Sequence, residues 1–489
     1  MQRLHPSRLS DCAPSVQRPH LHQSALQTGI VHLGLGAFHR AHQALYTDSV
    51  MQQTGDTRWG IAGVSLRSAE VGQRLHAQGL LYSVFERHGE QCQGRVVGAL
   101  TQAWHAPTQS AKVLNALADP QVKVVTLTVT EKAYGLHPAS GQLDVAHPEV
   151  AADLAGATLP RSVLGWLCAG LARRPHHAPL NVVCCDNMNR NGDVLQGVLI
   201  EFARHLHPDL VSRMANQLAF PNTMVDRIVP AATAESLDWA SQALGLRDES
   251  AIVCEPFSQW VIEDRFITDR PEWERAGALL VDSVAPYQDM KLRLLNATHS
   301  AIAYVGQLMD LPTVAEVMAH PLCAAYVRAL MQSDLLAVTR VPAGYDAARY
   351  IADLLHRFEN TALAHRTDQI AMDGTQKVAV RWLPGLREGV QRGLPQPRLI
   401  AALAAWLHGL DGGRSVSGQA VRIQDPGAAA LQARLQAAPG LRDKVLAACG
   451  HEAVMGPNDW PAAWVDALTQ HWGVIRDRGL AALLYQVSR

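Results

Sequence analysis

Four short apolar runs in the first half of the chain have the pattern of buried β-strands. They are rich in β-branched residues, are bounded by glycine or polar residues, and are separated by segments with helical spacing of apolar positions. Strands that alternate with helices predict a parallel sheet with helical crossovers. The predicted strands are GIVHLGLG (29–36), WGIAGVSL (59–66), VKVVTLTVT (122–130) and LNVVCCDN (180–187), and helices are predicted at 37–53 and near 149–173.

The pattern changes at about residue 286. From there to the end, Ala- and Leu-rich helical patterns dominate, with breaks at stretches that contain Gly and Pro. A chain of 489 residues also exceeds what one hydrophobic core normally supports. We therefore predict an α/β first domain over residues 1–285, with a polar N-terminal arm at 1–28, and a mostly α-helical second domain over residues 286–489.

Positive and negative charges nearly balance, with 43 Lys and Arg against 44 Asp and Glu. A chain with so little net charge has no overall field that would recruit nucleic acid or a membrane, so the expected ligands are small molecules. The eight cysteines form no CxxC pair or disulfide-like spacing, which fits a reducing, cytoplasmic compartment. The apolar stretch at 399–410 is too short to span a bilayer, and the N-terminus lacks an apolar signal segment.

A glycine turn follows the first predicted strand. Gly34-Leu-Gly36 stands between that strand and a helix opened by Ala37 and Phe38, which is the context that a dinucleotide fingerprint requires. His39 occupies the third position of G-x-G-x-x-G, so a glycine turn without a ligand stays an open alternative. We predict a Rossmann-like dinucleotide-binding domain, with Gly34, Gly36, Ala37 and Phe38 at the cofactor.

Two residues after the second predicted strand bear on the choice of cofactor. Glu70 is the acidic candidate for hydrogen bonds to the adenosine ribose, whereas Arg67 is suited to a 2′-phosphate. We predict NAD in preference to NADP. His32, His39 and His42 lie close together, but no carboxylates or cysteines accompany them at ligand spacing, so no metal site is predicted.

Lys291, Asn296 and His299, in KLRLLNATHS, form a polar set on a predicted helix. At α-helical rotation Lys291 and His299 lie about 80° apart, with Asn296 about 60° beyond His299. The residues between them are mostly apolar, so this arc is expected in a packed interior, where desolvation lowers the pKa of a lysine. Such a lysine is suited to proton transfer to or from an alcohol. A surface lysine, a capping asparagine and a structural histidine are the alternative interpretation of the three residues.

Seven ordered motifs together resemble the polyol-specific long-chain dehydrogenases, the family that includes mannitol 2-dehydrogenase and fructuronate reductase. The resemblance covers essentially the whole chain. It implies a metal-independent enzyme that uses a nicotinamide cofactor and interconverts a secondary alcohol and a ketone on an open-chain sugar derivative. The motifs are GLGAFHRAHQALYTD (34–48), SLRSAE (65–70), LTVTEKAYG (127–135), CDNMNRNG (185–192), FPNTMVDRIVP (220–230), CEPFSQWVIED (254–264) and MKLRLLNATHS (290–300).

The resemblance also implies roles for single residues. Lys291 matches the general acid/base, Asn187 and Asn296 match asparagines that bind the reacting oxygen, and His299 matches a substrate-orienting histidine. Asp226 and Lys377 match substrate-site residues, and Gly34, Gly36 and Glu70 match cofactor positions. Two alternatives remain: Asp226 as an ion-pair partner of Arg227, and Asn187 as a simple turn residue after a strand.

The chain departs from the family pattern at two positions. Family members commonly carry a glutamate three residues before the catalytic lysine, where this chain has Gln288, so Asp289 or water is left to carry protons to Lys291. Mannitol-type members carry an arginine eight residues before the substrate-site lysine, where this chain has Gln369. The segment HRTDQIAMDGTQK (365–377) and Ser300 look more like the fructuronate reductase branch.

This second departure changes the expected substrate. A uronate has a carboxylate, for which arginine is the natural bidentate partner, and Arg366 lies one helical turn before Gln369. We therefore expect Arg366 and Gln369 in the substrate site and D-fructuronate/D-mannonate as the substrate pair. The alternatives are a mannitol 2-dehydrogenase, a related polyol dehydrogenase such as arabinitol dehydrogenase, and a non-catalytic NAD- or sugar-acid-binding sensor. A monomer is expected, and a zinc-dependent polyol dehydrogenase is disfavoured because no ligand set is present.

Overall fold

Six parallel strands form the central sheet of the first half of the protein. They are β1 (Thr28–Leu33), β2 (Gly60–Ser65), β3 (Leu100–His105), β4 (Val124–Leu127), β5 (Leu180–Cys184) and β6 (Leu218–Ala219). In the computed structural model they lie in the order β3-β2-β1-β4-β5-β6. This is the order of a Rossmann sheet, which binds a dinucleotide where the order reverses, between β1 and β4. The predicted fold class, an α/β Rossmann-like domain followed by a helical domain, is confirmed.

The structure describes residues 1–137, 140–363 and 365–488. The chain divides into two compact units, Met1–Ala285 and Pro286–Arg489. Within the described residues, no helix has the length and apolar character needed to cross a membrane.

The helices of the first unit differ from the predictions at two places. The helix predicted at 37–53 is interrupted at His42, whose backbone leaves helical geometry (φ −129°, ψ −92°). The helix predicted near 149–173 is two helices, because Gly156 (φ +85°) and Pro160 stand between them. The α-helices of this unit are Ala37–Ala41, Gln43–Thr54, Glu70–Ala77, Ser110–Ala118, Pro148–Leu154, Val163–Arg173, Asn191–Leu206, Pro208–Gln217 and Ala234–Leu244.

Two smaller sheets complete the first unit. The N-terminal arm is part of one of them and not merely a polar cover: Leu4 and Val16 are buried, and the Leu4 N–H donates to the Arg247 carbonyl at 2.9 Å. A mixed sheet contains, in order, Val16–Gln17, Gln91–Val97, Tyr82–His88 and Ile252–Cys254, and a second contains Thr223–Asp226, Gln259–Glu263 and Leu279–Val281. Short 3₁₀ turns lie at Pro6–Asp11, Gln23–Ala25, Thr57–Trp59, Glu131–Tyr134 and Trp273–Ala276.

The second unit packs helices around a core that includes the buried Trp382, Trp406 and Trp472. The apolar stretch at 399–410 is one of these helices, and its side chains are almost all buried in that core. The α-helices are Ala297–Leu308, Val314–Ala319, Pro321–Ala329, Ala347–Phe358, Thr367–Ala371, Gly374–Arg381, Leu383–Gln391, Pro397–Leu410, Ala429–Ala437, Leu441–Cys449, Glu452–Met455, Ala462–Arg478 and Leu480–Val487, with 3₁₀ turns at Leu336–Val338 and Pro426–Ala428.

Two π-helical segments interrupt this α-helical pattern. One, Leu330–Leu335, follows the helix Pro321–Ala329. The other, Lys291–Asn296, joins the helix Ala285–Met290 to the helix Ala297–Leu308, so that one helical run extends from residue 285 to residue 308. Single π turns inside α-helices are frequent at functional sites, and this one contains two of the predicted catalytic residues.

Candidate active site

The two glycines after β1 are glycine for different reasons. Gly34 has a left-handed backbone (φ +103°), and a Cβ there would lie 2.1 Å from the Thr128 carbonyl oxygen, so the fold itself requires glycine. Gly36 has an ordinary extended backbone, and the nearest atom to a Cβ there is the Gly34 carbonyl oxygen at 3.7 Å. Among the described residues no atom lies closer to such a Cβ, so this side of the turn would be accessible to the phosphates of a dinucleotide.

His39, at the third position of the glycine motif, is part of a packed pair. Its ring stacks on His32 with centroids 3.3 Å apart, and both residues are buried. His32 is held by Thr126 Oγ1 at 2.7 Å and by the Gly34 carbonyl at 3.0 Å. Burial lowers the pKa of His32 to about 3, so its ring is neutral. Stacked neutral rings therefore replace the close helix–strand packing that the third glycine usually provides.

The other predicted cofactor residues lie at the carboxyl ends of strands. Glu70 is the first residue of the helix Glu70–Ala77 after β2, and its exposed carboxylate pairs with Arg74. Arg67 is also exposed and lies 3.4 Å from Glu149. Both ion pairs are at the surface, so a ribose or phosphate can displace them at small cost.

Ala37 and Phe38 are the first two residues of the helix after the glycine turn. The Phe38 ring stacks on His42 with centroids 5.0 Å apart. Among the described residues, no three His, Cys, Asp or Glu side chains are grouped as a metal site would require.

Asn187 follows β5 on a turn that other side chains hold in place. Asp186 accepts hydrogen bonds from the Val129 and Thr130 N–H groups at 3.0 and 2.9 Å. The Asn191 amide donates to the Cys184 and Asp186 carbonyl oxygens at 3.1 and 3.0 Å. Asn187 itself is exposed at the carboxyl edge of the sheet. The sequence analysis did not single out Asp186 and Asn191, although both lie in the CDNMNRNG motif.

Asp226 ends the strand Thr223–Asp226 and is buried. The guanidinium of neighbouring Arg227 is directed elsewhere. Its Nη2 lies 2.5 Å from Glu86 Oε1, and it donates to the carbonyl oxygens of Glu255 and Ala41. The alternative interpretation of Asp226 as the ion-pair partner of Arg227 therefore has no support in this geometry.

Lys291 and Asn296 begin and end the π segment, and Lys291 is buried with 8% of its surface exposed. The expected arc assumed α-helical rotation, which leaves Asn296 about 140° from Lys291. A π turn closes its hydrogen bonds between residues i and i+5 and so rotates less per residue. Asn296 therefore lies more nearly above Lys291 than the α-helical estimate implied.

His299 lies on the next turn of this helical run, in an aromatic and cationic environment. Its ring stacks on Phe358 with centroids 5.6 Å apart and meets His365 edge-on at 4.6 Å. Its pKa is well below the ordinary value, mainly because the ring is buried. The neighbouring groups His365, Arg381, Arg357 and Lys377 lower the pKa further.

Lys377 and Arg381 are one turn apart on the helix Gly374–Arg381, which contacts the π segment. Lys377 Nζ donates to the Ile370 carbonyl at 3.0 Å, and burial, aided by the Arg381 charge, lowers its pKa. Arg381 Nη1 donates to the Asn296 carbonyl at 3.2 Å and to Ser300 Oγ at 2.9 Å. Arg381 was not among the predicted site residues, although its position four residues after Lys377 was an available signal.

Arg366 and Gln369 occupy different surroundings. Both are exposed, and Arg366 pairs with Asp368 through Nη2 at 2.6 Å and Nε at 3.0 Å. Arg366 lines a cavity of about 520 Å³ with residues such as Asp310 and Arg422, and none of Lys291, Asn296, His299 and Lys377 lines that cavity. Arg381, and not Arg366, therefore contacts the 291–300 segment.

Asp289 is engaged in a structural role. Its Oδ1 pairs with Arg293 Nε at 2.9 Å, and its Oδ2 accepts the Arg340 N–H at 2.9 Å. Residues two apart on a helix also do not share a face, so Asp289 is not placed to exchange protons with Lys291. This geometry leaves water as the remaining route of the two that the sequence analysis considered.

Comparison with known proteins gives matches over almost the whole chain. Residues 28–275 match the model of the mannitol dehydrogenase Rossmann domain, and residues 283–459 match that of the mannitol dehydrogenase C-terminal domain. The D-mannonate oxidoreductase of Escherichia coli (strain K12) is 39% identical over 95% of this chain and 96% of its own. A mannitol 2-dehydrogenase of Phaeosphaeria nodorum is 38% identical over 87% of this chain and 76% of its own.

Solved structures agree with these matches. A substrate-free D-sorbitol dehydrogenase superposes with a TM-score of 0.92 at 29% identity, covering 99% of this chain and 100% of that one. The mannitol 2-dehydrogenase of Pseudomonas fluorescens, solved as a ternary complex with NAD and D-mannitol, superposes with a TM-score of 0.84 at 32% identity, covering 99% of each chain. The predicted family and enzyme class are confirmed: the chain belongs to the mannitol dehydrogenase family of NAD-dependent oxidoreductases.

Proposed function

We propose that this enzyme catalyses the reversible, NAD(H)-dependent reduction of D-fructuronate to D-mannonate, or of a close epimer. The observation that carries the proposal is the positive charge around His299. Arg381 and Lys377 place positive charge near that ring, and Arg381 has no acidic partner among the described residues. A neutral polyol offers Arg381 no counter-charge, whereas a sugar acid carries a carboxylate that can bind it.

The cofactor residues fit NAD. Gly36 provides an unobstructed approach for the pyrophosphate, and the exposed Glu70 is available to the adenosine ribose. Ala37 and Phe38 at the start of the next helix, and Arg67 beside Glu70, complete the proposed set. When bound, NADH supplies the hydride that reduces the ketone carbon.

The residues of the second unit supply the rest of the chemistry. The Asn296 amide donates a hydrogen bond to the ketone oxygen and stabilises the negative charge that develops there. Protonated Lys291 delivers a proton to that oxygen, and in the oxidative direction neutral Lys291 removes it. His299 is neutral, so its ring orients the substrate by hydrogen bonding and not by charge. Lys377 contacts substrate hydroxyls. Roles for Asn187 at the reacting oxygen and for Asp226 with the substrate stay predictions from the family resemblance.

A second candidate is the oxidation of D-mannitol to D-fructose. The observation in its favour is the similarity to mannitol 2-dehydrogenases, which are nearly as identical to this chain as the D-mannonate oxidoreductase is. Sequence identity therefore does not separate the two substrates.

Steady-state assays separate them. NADH oxidation is measured with fructuronate, tagaturonate, fructose, xylulose and ribulose, and the best substrate is repeated with NADPH. We expect the highest kcat/KM for a uronate with NADH. A higher kcat/KM for fructose would replace the proposed function with the mannitol 2-dehydrogenase alternative, and binding without turnover of any substrate would indicate the sensor.

We also propose that the enzyme acts as a monomer in the cytoplasm, with its eight cysteines as free thiols. Light scattering of the purified protein tests the monomer. A thiol titration that finds eight reduced cysteines tests the redox compartment.

A further inference from the structure

Arg381 is a part-buried arginine that has no acidic partner among the described residues. Its Nη1 donates to Ser300 Oγ and to the Asn296 carbonyl oxygen, both neutral acceptors. Within the described residues, no carboxylate lies within ion-pair distance of its guanidinium, and burial lowers its pKa. Taking a charge partly out of water without a counter-charge is unfavourable, so Arg381 favours an anionic ligand that the protein chain does not itself provide.

The bonds that Arg381 does make leave one edge of its guanidinium available. Ser300 and Asn296 both bind Nη1, so Nε and Nη2 form no hydrogen bond with the described residues. Nε and Nη2 form the side of the guanidinium fork that binds a carboxylate through two parallel hydrogen bonds. Ser300 and the end of the π segment therefore fix the orientation of Arg381 and leave its bidentate edge for a ligand.

A second cation and a neutral imidazole ring lie near Arg381, and both are compatible with a negatively charged ligand. Lys377 lies one helical turn before it, and His299 lies close enough for the Arg381 charge to lower the pKa of its ring. His299 Nε2 is buried without a hydrogen-bond partner among the described residues. The carboxylates of Asp373 and Asp425 act on Lys377 and not on Arg381, and that of Asp425 accepts from the Thr375 N–H at 2.6 Å and from Thr375 Oγ1 at 2.9 Å.

We propose that Arg381 binds the carboxylate of the sugar-acid substrate, with Ser300 as the residue that positions its guanidinium. This inference rests on the proposed function and names the residue that distinguishes a uronate from a neutral ketose. It replaces Arg366, whose guanidinium pairs with Asp368 at the surface.

The test compares one charged and one neutral substrate. Fructuronate and fructose differ at the end of the molecule where a carboxylate replaces a CH₂OH group, so the ratio of their kcat/KM values reports the carboxylate contact. R381Q should lower kcat/KM for fructuronate by about 10- to 100-fold, the value of a charged hydrogen-bond pair, mainly through KM. It should change kcat/KM for fructose by less than about 3-fold, because fructose makes no such pair.

Three further variants control for structure. R381K keeps the charge without the bidentate fork, so its kcat/KM for fructuronate should lie between those of R381Q and the wild type. S300A should lower the same ratio more weakly, and R366Q should leave it unchanged. The melting temperature of each variant is recorded, so that lost stability is separated from lost recognition.

The outcomes separate this inference from the proposed function. If the wild-type enzyme prefers fructose, the proposed function fails and the carboxylate site falls with it. Two results would overturn only the assignment of Arg381 while the wild-type enzyme still prefers fructuronate. In one, R381Q lowers kcat/KM equally for both substrates; in the other, R366Q alone lowers the ratio of the two kcat/KM values.

Discussion

Lys291 and Asn296 are the first and last residues of one π-helical segment within a longer helical run. This relationship places the predicted proton donor and a predicted oxyanion ligand one π turn apart, on a backbone stabilised by the surrounding core. Leu294 and Leu295, between them, are buried. Both groups are therefore attached to a rigid element, which is what a preorganised site requires.

Removing the amine of Lys291 should abolish most turnover. K291A is expected to lower kcat by about 10²- to 10⁴-fold, the usual value of a positioned acid/base, with NADH affinity unchanged. R293A, in the same π segment, is the matched control. Arg293 binds Asp289 and Glu388 by ion pairs, so its loss should lower the melting temperature and leave kcat nearly unchanged. Partial rescue of K291A by primary amines would support the role, and full activity of K291A would remove Lys291 from the mechanism.

The two glycines of the cofactor turn should respond differently to alanine. In G34A the added methyl group would clash with the Thr128 carbonyl oxygen, and alanine would have to adopt a left-handed backbone. The substitution should therefore destabilise the protein by about 1–3 kcal/mol or more. In G36A the added carbon would lie 3.7 Å from the Gly34 carbonyl oxygen, an ordinary contact, so the stability of the variant should stay within about 1 kcal/mol of the wild type.

The same G36A substitution should weaken NADH binding by about 10-fold or more, because its methyl group occupies the approach of the pyrophosphate. Fluorescence titration with NADH and urea unfolding measure the two effects. Normal NADH affinity in G36A would place the pyrophosphate elsewhere.

Glu70 should determine the preference for NAD. E70A removes charged hydrogen bonds to the ribose and should raise KM for NADH by about 10-fold, while KM for NADPH stays constant or falls. The ion pair of Glu70 with Arg74 is at the surface, so its loss should not change the melting temperature. E149A, which removes the partner of Arg67, is the control and should leave KM for NADH unchanged. Equal changes for both cofactors would contradict this role.

His32 should make the protein sensitive to acid. Its pKa is about 3 in the folded protein and about 6.5 when unfolded. Between these values the unfolded chain binds a proton that the folded chain does not, so stability falls as pH falls. Below pH 6.5 this group should cost about 1.4 kcal/mol per pH unit. Urea unfolding between pH 7 and pH 5 measures the free energy of unfolding. That free energy should fall less steeply with falling pH in H32Q than in the wild type, and the difference in slope should correspond to one proton. Parallel pH dependences would show that His32 is not neutral in the folded protein.

The strands were the most predictable elements. β1, β2, β4 and β5 follow the predicted runs because strands buried on both faces read as continuous apolar segments. β3 was not predicted because it is partly exposed, and β6 because it has two residues. The break at His42 was also missed, since the apolar spacing of helical type continues through it.

The candidate site likewise has one part that was predictable from the sequence and one part that was not. Its chemistry was readable from Lys291, Asn296 and His299, because their residue types and the family motif around them predict proton transfer. The π turn was not readable, because the apolar residues between 291 and 296 suit an α-helix equally well. Arg366 was predicted because it lies one helical turn before Gln369, and Arg381 was not considered.

The sequence by itself determined the fold class and the family and predicted the acid/base, because these depend on local apolar patterns and on ordered motifs. Only the tertiary structure decided that Arg381 has no acidic partner among the described residues, that a Cβ at Gly36 would be in ordinary contact only, and that the Asp289 carboxylate is already engaged. The physical reason is that burial and hydrogen-bond satisfaction depend on segments far apart in the chain: Arg381 contacts Asn296 and Ser300, more than 80 residues earlier.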